Sequence, residues 1–184
     1  QELNEELTLV GQEFARNIQS DKRTIQVEPR DLEGLPQDYI DSHPPDAVGR
    51  CAISTDYPDY SPFMAYSKSD RARQELYRIF RLRGHPANLE VLDRMLARRW
   101  ELARLLGYRS WAHYVTEDKM IGSDTAAREF IERIARIADP RARQDYEQLL
   151  EAKRRQVPDA SEVFDWEKDY WQERLKASLH EYDS

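Results

Sequence analysis

The sequence holds four histidines, His43, His85, His113 and His180. A zinc hydrolase site built on a helix needs two histidines four residues apart, so that both imidazoles face one metal, with a glutamate beside the first as base. No pair here has that spacing. The nearest substitute is His113 with Glu117 and Asp118, where His113 and Glu117 fall on one face of a helix. One imidazole and one carboxylate leave most of a coordination shell unsupplied, and a helical ion pair or a solvated polar face accounts for the three residues more simply. The sole cysteine, Cys51, excludes an intramolecular disulfide and a Cys-rich zinc module. It sits in an alternating stretch, where a buried thiol behaves as a small hydrophobe. There is no Gly-x-Ser-x-Gly elbow, and six glycines leave little material for a phosphate-cradling loop.

Two richer stretches remain. RARQELYRIFRLR and ARRWELAR place arginines on successive helices, a pattern that builds an anion-binding groove or else pairs with the acidic excess elsewhere. Pairing is the simpler expectation, as it is for Glu90-Asp93-Arg94 and Glu129-Glu132-Arg133. DYPDYSPFMAYS gathers Tyr57, Tyr60, Phe63 and Tyr66 around two prolines and reads as an aromatic loop packed on helices, with a peptide-binding surface as the alternative.

The elements that must carry these residues are mostly helical. Leu3, Leu7, Val10, Phe14 and Ile18 form one stripe of a helix over 2–20. TIQVE and CAIST alternate with period two and predict a small two-stranded element, with Pro29 ending the first strand and Pro36 opening a short helix to Ser42. Ser69 is the expected cap of a helix ended by Gly84. Asn88 is the expected cap of the next, whose Leu92, Met95, Leu96, Ala103 and Leu106 keep the helical period and which Gly107 stops. Ser110 opens a short helix. Ser123 caps a longer one with Phe130, Ile131, Ile134 and Ile137 buried, Asp139-Pro140 breaks it, and a further helix runs to Gln156. A linker covers 157–164, and a final helix from Asp165 carries Trp166, Tyr170, Leu175 and Leu179. The fold class expected is mainly α, an antiparallel helical bundle with one small β element in the first third.

The balance of the 184 residues is polar: 40% are hydrophobic and 34% charged, with four tryptophans and ten tyrosines to enlarge a modest aliphatic core. A net charge of −7 argues against a dedicated nucleic-acid binder. No apolar run reaches the length of a membrane span, and QELNEELTLV has neither the basic nor the apolar region of a signal peptide. Both ends read as cuts, so the chain is expected to be a piece of something longer.

Taken in order, GQEFARNI, DLEGLPQDYI, CAISTDYPDYSPFM, ARRWELARLLGYRSWAHY, Lys119-Met120 and DWEKDYW resemble the thimet oligopeptidase and oligoendopeptidase F family of zinc metallopeptidases. The series spans residues 11 to 171. It departs from the family pattern at Tyr170-Trp171, where two tyrosines are expected. The resemblance implies that residues 1–184 are the helical portion upstream of the catalytic part, a single domain or part of one. In that family the zinc-binding His-Glu-x-x-His helix lies further along, with zinc activating water and the glutamate acting as base. None of those residues can be carried over. No position of this chain is therefore assigned a catalytic, cofactor-binding or metal-ligating role, and zinc is expected in the parent enzyme only. The partners implied are the remaining catalytic portion and short peptides, without nucleic acid or membrane. The isolated chain is expected to be inactive and to self-associate through apolar surface that the catalytic part covers. One cysteine and no visible signal favour the cytoplasm. Two other readings stay open: a non-catalytic helical module that binds peptides or a protein partner, and an independent metalloenzyme built on His113 and nearby carboxylates.

Overall fold

A computed structural model describes residues 2–180, with side chains through Ser178. Along the chain run α1 (Glu2–Ser20), β1 (Thr24–Val27), a single 3-10 turn (Pro29–Leu32), α2 (Gln37–Ser42), β2 (Cys51–Ser54) and α3 (Tyr57–Tyr66). They are followed by α4 (Asp70–Arg81), α5 (Ala87–Leu105), α6 (Trp111–Glu117), α7 (Asp124–Arg154) and α8 (Lys168–His180). The fold is mainly α, with one small antiparallel sheet. The chain divides into two compact units. One comprises the residues up to Asp21 with Gly84–Arg141, the other Lys22–Arg83 with the residues from Ala142 onward.

In the first unit α1 packs on α5. Val10 of α1 meets Val91 and Met95 of α5, flanked by Leu7 and Phe14 of the predicted stripe. The buried face of α5 is Asn88, Val91, Met95, Leu102 and Ala103. Leu92, Leu96 and Leu106, which share the helical period, lie outside that face and are exposed. Asn88 does not cap α5, which starts one residue earlier. Its side chain instead donates to the Phe14 carbonyl at 3.0 Å and accepts from Asn17 Nδ2 at 2.9 Å, because a partly buried amide finds partners across the helix pair. The end of α5 follows the sequence closely. Gly107, at φ +85, donates to the Arg104 carbonyl and Tyr108 to that of Ala103, the paired bonds of a Schellman stop. Ser110 caps α6 by accepting from the His113 amide at 3.1 Å, and Ser123 accepts from that of Ala126 at 3.1 Å.

Helix α7 corrects two expectations. It runs unbroken through Asp139-Pro140, since a proline removes one backbone donor but leaves the bonds of flanking residues to carry the helix onward. Phe130, Ile131, Ile134 and Ile137 are not buried; they are 47%, 66%, 47% and 69% exposed.

The second unit is built on the sheet. Register pairs Ile25 with Ile53 and Val27 with Cys51, so the alternation puts all four on one buried face. Against it lie Leu32, Leu35, Tyr39, Phe63, Met64, Ala72 and Leu76. The segment expected as an aromatic loop is helix α3: Pro58 falls in its first turn, where the missing donor costs nothing, and Tyr60, Phe63 and Met64 are buried. Ser69 caps α4 as expected, accepting from the Ala72 amide. The stretch 157–164 is irregular and tightly held. Lys153 Nζ contacts Glu167 at 2.6 Å and the Glu162 carbonyl at 2.9 Å, while the Phe164 amide donates to Glu167 at 2.9 Å. The α8 helix begins at Lys168, behind a turn containing Trp166, and buries Tyr170 and Trp171. The side chain of Leu179, expected on this helix, lies outside the described residues, as does that of His180.

Candidate functional site

Most of the groups singled out from the sequence are engaged in the fold, though His113 Nδ1 is buried without a hydrogen-bond partner. His113 lies on α6, its ring edge-on to Tyr108 at 5.4 Å. Glu117 does not turn to it, since that carboxylate accepts from the Tyr108 hydroxyl, a bond that raises the Tyr108 pKa above its ordinary value. Asp118 pairs with Lys119 at 3.0 Å. The three residues therefore do not converge. The hollow beside them, about 240 Å³ and lined by Tyr108, Tyr114, Val115, Glu117, Asp118 and Lys119, presents paired charges. Cys51 is buried in the sheet, and loss of hydration, with Asp46 nearby, pushes its thiol pKa up, the opposite of what a nucleophile needs.

Several arginines of the two arginine-rich helices are engaged within their own units. Arg94 pairs with Glu13 at 2.7 Å and Arg98 with Glu6 at 2.8 Å, both joining α5 to α1. Arg83 sits over the Phe80 ring at 3.8 Å and Arg81 over Tyr77 at 5.0 Å. Arg73 is 2% exposed. It donates to the Ser67 carbonyl and to Asp70 and lies 4.1 Å above the Tyr170 ring. Burial lowers its pKa, opposed by Asp70, and the position ties α4 to the DWEKDYW segment. Between the two α1–α5 ion pairs, Leu9, Val10 and Ala97 floor a groove of about 510 Å³.

One constellation was not singled out in the sequence. His43 stacks on Tyr39 at 4.3 Å, places Nε2 3.3 Å from Asp59 and Nδ1 3.1 Å from the Ser42 hydroxyl. Serine, histidine and aspartate in contact suggest a nucleophilic triad, but Nδ1 also lies 2.8 Å from the Tyr39 carbonyl, which only a protonated nitrogen can satisfy. That nitrogen cannot accept the Ser42 proton, and Ser42 Oγ donates to the same carbonyl at 2.8 Å. The set is structural. Asp59 loses hydration on burial, which by itself raises its pKa; bonds from the Ser54 hydroxyl and amide, with His43, outweigh that and hold it below the ordinary value. A carboxylate depressed in the folded state adds stability that is present above its unfolded pKa and lost as pH falls through the folded one. Asp59→Asn is therefore expected to cost about 1–2 kcal/mol at pH 7. In thermal melts carried stepwise into the acid range, the gap from wild type should close below the ordinary carboxylate range. A gap unchanged into strong acid would refute this. The only sequence signal for the set was the four-residue step from Tyr39 to His43; the approach of Asp59 is tertiary.

Among the described residues no group of three or more His, Cys, Asp or Glu could hold a metal ion, and no helix is long and apolar enough to cross a membrane. The described residues do not fit a zinc ion. The architecture is a mainly helical pair of compact units. Comparison with known proteins supplies the class. Peptidase family M3, a family of zinc metallopeptidases, matches residues 63–184, and the chain belongs to that family. It is 27% identical over 97% of its length to the Probable cytosolic oligopeptidase A of Arabidopsis thaliana and, to the same extent, to the Organellar oligopeptidase A, chloroplastic/mitochondrial, of that plant. It is 29% identical over 77% of its length to the Thimet-like oligopeptidase of Dictyostelium discoideum. The chain spans 28%, 25% and 21% of those three relatives, about a quarter of their length.

Proposed function

We propose that residues 1–184 are the scaffold and one wall of the substrate channel in a zinc-dependent oligopeptidase that hydrolyses short peptides, with the zinc, its ligands and the base in the remaining portion of the enzyme. One observation carries the reading: this member of Peptidase family M3 aligns with only about a quarter of the length of its oligopeptidase relatives, and it is a quarter without His-Glu-x-x-His. Its partners are that catalytic portion and short peptides. A cytoplasmic site agrees with the cytosolic Arabidopsis relative, while the organellar one marks the alternative address. Alone, the chain self-associates through exposed apolar side chains.

The groove floored by Leu9, Val10 and Ala97 favours a second reading, a helical module that binds peptides without cleaving them. Incubation of the purified chain with a quenched fluorescent peptide tests the first. No cleavage is expected with or without added Zn²⁺, and zinc-dependent cleavage by the chain alone would overturn it. Saturable peptide binding by the chain in the absence of any catalytic portion would support the module.

A further inference from the structure

We propose that the apolar stripe of α7 between Ala127 and Ala138 is the seam on which the catalytic portion of the parent oligopeptidase docks. This rests on the channel-wall reading and says where the two portions meet. Within eight residues Phe130, Ile131, Ile134 and Ile137 recur at helical spacing, so all four lie on one side of the helix together with Ala127 and Ala138. None is less than 47% exposed, a degree of exposure that four large apolar side chains on one stripe do not keep in a finished soluble enzyme.

The occupant follows from two further observations. The stripe lies inside residues 63–184, the part matched by the family, while the relatives carry about three quarters of their length outside the match. Beside the stripe Ile121, Ala126, Glu129, Phe130, Arg133 and Arg136 line an open hollow of about 430 Å³, with room for a side chain of a partner. Arg133, which holds its guanidinium 5.7 Å from the Phe130 ring, borders the stripe on one side and Arg128 on the other. With Glu129 beside Arg133 in the hollow and Glu132 one turn from Arg128, both flanks carry charges of either sign, which suits a surface that is apolar at its centre and polar at its rim.

The test uses residues 1–184 alone and the same residues placed in the Arabidopsis cytosolic oligopeptidase A in exchange for the stretch they match. Ile134→Cys reports on the stripe and Glu132→Cys, exposed and outside the lining of the hollow, on the opposite face. Maleimide labelling is followed by peptide mass, at a dilution where the isolated chain sediments as a monomer. In the isolated chain both cysteines should label at similar rates. In the chimera Ile134→Cys should slow by about tenfold or more while Glu132→Cys stays within about twofold. Equal labelling of Ile134→Cys in the two proteins, or equal slowing of both positions, overturns the seam. Should the chimera fail to fold, the isolated chain decides. Ile131→Glu/Ile134→Glu should keep the wild-type circular dichroism and lose concentration-dependent sedimentation, and unaltered sedimentation overturns the seam. Zinc-dependent cleavage by the chain alone would instead overturn the channel-wall reading, independently of either labelling result.

Discussion

Lys153→Met is expected to destabilise the chain by about 3–5 kcal/mol, because it leaves the Glu167 carboxylate buried without its cation. The two side chains are 9% and 6% exposed and meet at 2.6 Å. Glu167 also accepts from the Phe164 amide, and Lys153 donates to the Glu162 carbonyl, so the pair closes the loop between α7 and α8 from both sides. The double substitution Lys153→Met/Glu167→Leu removes both charges and should recover most of the loss, since the desolvation cost of the pair disappears with it. Urea denaturation of the two single variants and the double measures this. Additive losses in the double would show that each residue acts through separate contacts and that the pair is not the fastening.

The second large effect is expected at Phe63. Its side chain is fully buried among the sheet, α2 and α4, and Phe63→Ala should cost about 3–5 kcal/mol through lost burial and the cavity left behind. Tyr60, whose ring stacks on Phe80 at 3.9 Å and whose hydroxyl is pushed up to about 12 by burial, belongs to the same core. Pro62→Ala should by contrast fall within about 1 kcal/mol of wild type or stabilise, since it restores a donor inside α3. A Pro62→Ala loss comparable with that at Phe63 would show that proline rigidity, rather than packing, holds this segment.

That contrast marks where sequence reasoning succeeded and where it did not. The α1 stripe, the two alternating strands, the serine caps at Ser69, Ser110 and Ser123, and the Gly107 stop are each decided by a few adjacent residues, and the structure has them where the pattern puts them. Helix α3 was unreadable because two prolines and three tyrosines look like a loop until the core that buries Tyr60 and Phe63 is present. Asn88 was misread because a cap and an interhelical hydrogen bond require the same side chain. Pro140 was misread because a single lost bond is tolerated in a long helix.

The site shows the same division. The ordered motifs from Gly11 to Trp171 sufficed for the family, which the match over residues 63–184 then established. The absence of His-Glu-x-x-His is likewise a property of the sequence alone. Only the tertiary structure decided that Glu117 is taken by Tyr108 and Asp118 by Lys119, that Arg73, Arg81, Arg83, Arg94 and Arg98 are engaged with carboxylates or rings, and that Asp59 joins Ser54 to His43. It also decided that the α7 stripe is exposed. Periodicity says which side chains share a face of a helix; it does not say what that face meets, because burial depends on elements distant in the chain.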